Sequence, residues 1–166
     1  MALIDGMLQE LEQETQTTRR VLERVPDNQL AWRPHEKART LGELALHVAM
    51  VPGGVAELVA SPSPAQAPQF TDPSPKSASE LIPALDQSIA KAKKVLGGMD
   101  DGTLLATWRL MQGERELFAA PRVAVLRSVM LNHWYHHRGQ LTVYLRELGV
   151  PIPSIYGPSA DENPFA

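Results

Sequence analysis

Two histidines one helical turn apart, His133 and His137, lie in residues 125–148, VLRSVMLNHWYHHRGQLTVYLREL, the run with the cleanest helical period and the densest histidine cluster. At about 100° per residue, Leu126, Val129, Met130, His133, His137, Gln140, Leu141, Tyr144 and Leu148 share one face. Imidazoles at i and i+4 can point at one ion, each giving a nitrogen at about 2.0–2.1 Å if the metal is zinc. The same spacing also suits a core helix whose ring nitrogens are satisfied by neighbours. A zinc-protease helix is excluded, because that chemistry needs HExxH with glutamate as base. Here Trp134 and Tyr135 follow His133. A third ligand and any general base must therefore come from elsewhere in the chain.

The elements that would carry them are helical. Ile4, Leu8, Leu11, Thr15, Thr18, Leu22 and Val25 recur at three- and four-residue steps and predict a first amphipathic helix. Thr15 and Thr18 interrupt its stripe and either line a cavity or bond their own backbone. A connector follows, LAWRPHEKAR, in which His35 reads as an exposed loop residue. Thr40-Leu41-Gly42-Glu43 has the form of a capping box and opens a second helix with Leu41, Leu44, Val48, Val51 and Val55 facing the core. His47 lies about 60° from Leu44 on that period, where it can look into the protein. Glu43, one turn earlier, either orients His47 through its second ring nitrogen or is fully occupied as the capping acid.

Pro52-Gly53-Gly54 predicts a kink or fraying of that helix, and residues 61–75, SPSPAQAPQFTDPSP, predict a long crossover loop. Ser77-Ala78-Ser79-Glu80 offers another cap for a third helix bearing Leu81, Leu85, Ile89, Ala92 and Leu96. Between 100 and 121 the alternations TWRLM and RELFA around Gln112-Gly113 suggest a small hairpin before the histidine helix. The expected architecture is all-α: a single domain over 1–166, a four-helix bundle with the histidine cluster inside it.

Composition narrows the function. A chain of 166 residues with 43% hydrophobic and 21% charged residues is an ordinary soluble protein, with no apolar run of the roughly 18–20 residues a membrane span needs. No signal peptide is evident, so the cytoplasm is the expected location. A net charge of -3 with scattered basic residues disfavours nucleic acid. With no cysteine, thiolate ligands and a cysteine nucleophile are excluded, and any thiol chemistry must use a thiol brought by a substrate.

Together, His47 in a capped second helix, the run H-x-x-H-H-R-G-Q-L from His133 to Leu141, and the tail IYGPSADE resemble the DinB/YfiT-like superfamily over nearly the whole chain. That family is distinct from the translesion polymerase sharing the name. The resemblance implies a four-helix bundle, commonly a homodimer, that holds a divalent ion such as zinc or nickel through His47, His133 and His137. His136 then becomes a rim or supporting residue. Relatives include transferases and isomerases using low-molecular-weight thiols, and others assigned only as metal-dependent hydrolases. A metal with an open position activates either water or a thiol.

The expected activity is thus hydrolysis or thiol S-transfer on a small molecule; the rival reading is a non-catalytic metal-binding or stress-response protein. No acid sits beside the ligands on the histidine helix, leaving Glu43, Glu114, Glu116, Asp161 and Glu162 as candidate bases and the catalytic residues unassigned. Gln140 and Tyr144 continue the ligand stripe and are candidate substrate contacts. Arg138 reads as a surface or interface ion pair, and Trp134 and Leu145 as residues of a dimer interface.

Overall fold

The computed structural model describes residues 2–69 and 71–166, so Phe70 of the crossover loop lies outside the described residues. The stripe of apolar and small residues winds α1, Leu3–Leu22, whose buried face holds Ile4, Met7, Leu11, Glu14, Thr15, Thr18, Val21 and Leu22. Thr15 resolves its polar group within the helix, donating to the Leu11 carbonyl at 2.6 Å. Thr18 instead serves a neighbouring helix, as described below.

The second helix, α2, Leu41–Ala60, starts at Thr40, whose side chain accepts from the Glu43 backbone at 3.2 Å while the Glu43 carboxylate accepts from the Thr40 backbone at 2.7 Å. Its 20 residues are long and apolar enough to cross a membrane, yet it packs most extensively on α3, Leu81–Leu96, and then on the histidine helix, as a core element. The expected kink at Pro52-Gly53-Gly54 does not end it. Pro52 has no N–H for the Val48 carbonyl four residues back, and a proline there ordinarily breaks the ladder. That carbonyl takes the Trp134 indole N–H instead, at 2.8 Å. One residue on, Gly53 N–H donates to Ser88 Oγ of α3 at 2.8 Å, and Ser88 Oγ donates to the Met50 carbonyl at 3.1 Å. A side chain at 53 would meet the Ser88 carbonyl oxygen at 2.6 Å, so only glycine allows α2 and α3 to approach this closely.

After α3 a short α4, Asp101–Leu105, leads into a small sheet. The hairpin around Gln112-Gly113 is present as β2, Thr107–Gln112, and β3, Arg115–Pro121, paired antiparallel. Gly113 at φ +61 opens its two-residue turn, the first-position glycine of a type II′ hairpin. A third strand was not legible: β1, Ala65–Gln66, drawn from the proline-rich crossover, pairs parallel with β2 at Leu110 and Met111. The protein is therefore mostly helical with a small three-stranded sheet, ordered β1-β2-β3.

The histidine helix is not uniform. It runs through α5, Arg122–Val125, a π-helical segment, Leu126–Asn132, and α6, His133–Glu147. A π turn holds one residue more than an α turn, so the buried stripe emerges one position late. Leu126 and Met130 are buried as expected, but beyond the segment the buried residues are Trp134, Arg138, Leu141 and Leu145, while His133, His137 and Tyr144 are half-buried and Gln140 is exposed. Trp134 and Leu145, expected at an interface, are fully enclosed in the core, and Arg138 is 1% exposed rather than a surface cation.

Arg138 is buried with partners for both terminal nitrogens of its guanidinium. Its guanidinium donates to the Glu14 carbonyl at 3.3 Å and Thr18 Oγ1 at 3.1 Å, and pairs with the Glu14 carboxylate at 2.7 Å. It also donates to the Tyr156 hydroxyl, which donates onward to Glu14 at 2.9 Å. The Tyr135 and Tyr156 rings lie 5.2 Å from its central carbon. Next to this, Tyr135 donates to Glu10 at 2.8 Å, and Arg127 holds that carboxyl below its ordinary range. The network binds α1, α6 and the C-terminal tail into one unit.

Candidate metal centre

The bond that repairs α2 also positions the site. Trp134 and Val48 each adjoin a histidine in sequence, His133 on α6 and His47 on α2, so their bond fixes the height at which the two helices face each other. The imidazoles of His47, His133 and His137 then converge, with ligand atoms all within 4.8 Å of one another. His133 Nε2 stands 3.5 Å from His47 Nε2 and 2.8 Å from His137 Nε2.

Hydrogen bonds fix which nitrogens face inward. His133 Nδ1 lies 3.2 Å from the Val129 carbonyl, which only accepts, so Nδ1 carries the proton. His137 Nδ1 donates to Gln140 Oε1 at 2.7 Å. In neutral rings both Nε2 atoms then present lone pairs to each other across 2.8 Å. Acceptors packed this way repel unless a cation lies among them. Protonation is resisted, because burial, with the positive charge of Arg39 contributing, pushes His47 and His137 down to about 4 and His133 below its ordinary value.

The donor set fits a divalent transition metal. Two nitrogens about 2.05 Å from a tetrahedral ion stand roughly 3.3 Å apart, near the His47–His133 separation and wider than the His133–His137 one. Histidines that ligate metals usually donate their second N–H to a carbonyl or carboxylate, the arrangement that Val129 and Gln140 supply here.

Beside the triad is a cavity of about 530 Å³ with His47 and His133 in its wall. Arg39 and Asp72, ion-paired at 2.7 Å, add charge to a lining that is otherwise largely aliphatic and aromatic, with Val51, Val55, Leu110, Phe118 and Trp108. Sequence reasoning missed Arg39, Asp72 and Trp108. The first two sit in irregular loops with no periodicity to place them, and Trp108 read only as part of an alternating run.

The other candidates separate cleanly. His136 is exposed, its ring 5.0 Å from that of His137, at the rim. Gln140 supports His137. Tyr144 packs edge-on against Trp32 at 5.6 Å and is not part of the cavity wall. The Glu43 carboxylate accepts from the Thr40 backbone, the capping role, and no hydrogen bond among the described residues joins it to His47. Asp161 and Glu162 fasten the tail, pairing with Arg146 and Arg20 and accepting from the backbones of Ile152 and Ser154. Glu116 pairs with Arg109 at 3.5 Å, and Glu114 is exposed. None of these candidate bases lines the cavity; Asp72 is the carboxylate that does.

The chain is mostly helical, with a three-histidine cluster between its second and last helices. Residues 2–164 match the DinB family, and the chain belongs to it. It is 29% identical over 164 residues to the uncharacterized protein YrdA of Bacillus subtilis, covering 96% of this chain and 91% of that protein. Its fold is similar to that of a DinB-like protein from Bacillus cereus, with TM-score 0.69 and 26% identity over 92% of this chain and 97% of the other. The fold is also shared with a DinB-like protein of Bacillus subtilis, YjoA, at TM-score 0.65 and 19% identity, covering 87% of this chain and 93% of that one.

Proposed function

We propose that His47, His133 and His137 hold a divalent cation, zinc or nickel, and that the protein is a metal-dependent enzyme for a small molecule, a hydrolase or a thiol S-transferase. The observation that carries this is the pair of inward lone pairs on His133 and His137, 2.8 Å apart and held there by Val129 and Gln140. Three neutral imidazoles leave a fourth position open, the donor pattern of catalytic rather than closed structural sites. A bound cation of this kind lowers the pKa of water or of a thiol brought by a cosubstrate. The chain's own residues keep the ligands neutral, orient them and form the adjacent cavity. Asp72 is the carboxylate in reach of that cavity, and Arg39 both engages it and offers positive charge to an anionic substrate. The cavity beside the cluster favours catalysis over a purely structural metal.

We further propose a cytoplasmic homodimer, the assembly and location expected from the sequence. The test is metal content of untagged protein purified without added metal, for wild type and His47→Ala. Near-stoichiometric zinc or nickel, lost in the variant, is expected and opens assays of thiol transfer and ester or amide hydrolysis. Wild type that holds no metal and cannot be loaded overturns the reading.

A further inference from the structure

The wall of the cavity beside the triad is uneven in its chemistry. Val51, Val55, Leu110, Phe118 and Val129 help to make most of it apolar, while Arg39 and Asp72 are its charged residues. Arg39 directly precedes Thr40, the cap of α2, and Asp72 lies in the crossover loop, so two separate segments bring the pair to the cavity. The pair also lies close to the triad. Burial is the main reason that the three imidazoles resist protonation, and the positive charge of Arg39 adds to it at each of them. That charge resides on the guanidinium, so it is the head of the side chain, 32% exposed, that stands near the histidines. The ion pair leaves most of this head open. Asp72 Oδ1 accepts from Nε at 2.7 Å, and among the described residues neither terminal nitrogen has a hydrogen-bond partner. Arg138 and Arg127, by contrast, engage both terminal nitrogens. The edge formed by those two nitrogens is a planar fork that matches the two oxygens of a carboxylate. In a largely apolar cavity of this size, about 530 Å³, the few polar groups set the orientation and specificity of a small ligand.

We infer that Arg39 is a specificity-determining residue for an amphipathic carboxylic acid: its two terminal nitrogens take the carboxylate of the substrate, and the apolar body lies in the cavity against α2 and the sheet. This deepens the enzymatic reading above and rests on it for the word substrate, though the binding itself does not require the metal. Asp72 holds the guanidinium by Nε and leaves the terminal edge for the incoming acid. Carrying the same charge as that acid, it orients Arg39 at some cost in affinity. With the guanidinium beside the triad, the bonds nearest the acid group are those presented to the histidines, and the far end of the apolar body lies away from them.

The probes are octanoate, octanamide and acetate. The first two share length and shape and differ in charge, and acetate carries the head without the body. Calorimetry measures each on protein as purified and again after chelation, for wild type, Arg39→Met and Asp72→Asn. Wild type is expected to bind octanoate about 10-fold more tightly than octanamide and at least about 100-fold more tightly than acetate. Arg39→Met should erase the preference for octanoate and leave octanamide binding unchanged, which shows that the cavity is intact. Asp72→Asn keeps an acceptor for Nε but removes the competing charge, and should strengthen octanoate binding about 2–5-fold. Both variants break the same ion pair, so a pair that serves only structure would shift the two in the same direction. Octanoate and octanamide bound equally by wild type, octanoate bound no better than acetate, or no binding of any probe overturns the inference. So does a preference that survives in Arg39→Met, an Arg39→Met that loses both eight-carbon probes alike, an Asp72→Asn that weakens octanoate binding, or a preference that vanishes on chelation. Preference retained in a protein that takes up no metal sustains it while the metal-dependent reading falls.

Discussion

The last helix faces two ways, and its two sides treat polar groups in opposite fashion. On the core side, Trp134 and Arg138 are buried and partnered: the Val48 carbonyl takes the indole N–H, and Glu14, Thr18 and Tyr156 engage the two terminal guanidinium nitrogens. On the cavity side, His133 and His137 turn their free nitrogens toward each other and toward His47, and Trp108 across the cavity keeps an N–H unpaired. A folded chain satisfies its polar groups where they serve only stability. Where they are left open, stability is forgone for something that binds. Residues one position apart in sequence thus fall into different classes, scaffold and site.

The largest effect should come from breaking the scaffold side. Arg138→Met leaves the Glu14 carboxylate 7% exposed and without its cation, which should cost about 3–5 kcal/mol in urea unfolding of the chelated protein. Adding Glu14→Leu should return part of that loss, since replacing both members of a buried pair by apolar groups is often close to neutral. If Arg138→Met unfolds at the wild-type midpoint, the network is not what joins α1, α6 and the tail.

Much of this was legible in sequence, and the failures share a cause. The Thr40 capping box, the apolar stripes of the first three helices, the hairpin and the facing pair His133 and His137 follow from period and local chemistry, whereas His47 as their third partner came from the family resemblance. Ser77 accepts from the Ser79 backbone and caps the turn Ala78–Glu80 rather than α3. The misread residues Trp134, Arg138 and Leu145 all lie beyond the π-helical segment, where a uniform 100° step no longer holds. Nothing in LRSVMLN announces that extra residue per turn. Pro52 misled for a related reason: its missing N–H is repaired by Trp134, a partner 82 positions away in the numbering. Arg39, Asp72 and the two-residue strand β1 are placed by tertiary contacts of loops, which local patterns do not encode.

A direct comparison of the two buried indoles comes next in size. Trp134→Phe strips the Val48 carbonyl of its donor in a position where Pro52 offers none, and should cost about 1–3 kcal/mol beyond the lost ring area. Trp108→Phe removes an N–H that had no partner and should cost less by about that margin. Denaturant midpoints of the two variants test this. Equal losses would mean that the Trp108 donor is satisfied after all. Trp134→Phe should also weaken metal binding, because the bond it deletes sets the height of His47 against His133, whereas Trp108→Phe should leave metal affinity unchanged.

On the cavity side the contrast lies between Gln140 and Glu43. Gln140→Ala frees His137 to turn, and should lower metal affinity about 10–100-fold with little change in the stability of the chelated protein. Glu43→Gln should leave affinity where it is and cost at most about 1 kcal/mol through the cap. Competition titration with a chelating dye measures both, and a reversed order would make Glu43 the orienting residue.

The smallest effect is a pH dependence confined to the open side. His47 and His137 have folded-state values of about 4, below the ordinary 6.5, because burial disfavours their charged forms. Between those values the unfolded chain binds more protons than the folded one, so stability rises with pH there. It should be complete above about pH 6.5 and fall as pH drops toward 4, modestly, since both rings are half-buried and partly screened by water. The melting temperature of chelated wild type should therefore decline through this window, and that of a His47→Ala, His137→Ala variant should decline less. The Trp134–Val48 bond carries no proton that titrates in this range, so its variant should keep the wild-type slope at a lower temperature. If the histidine variant falls as steeply as wild type, the slope belongs to carboxyl groups of the scaffold, and the division of α6 into a satisfied face and an open one would lose its electrostatic half.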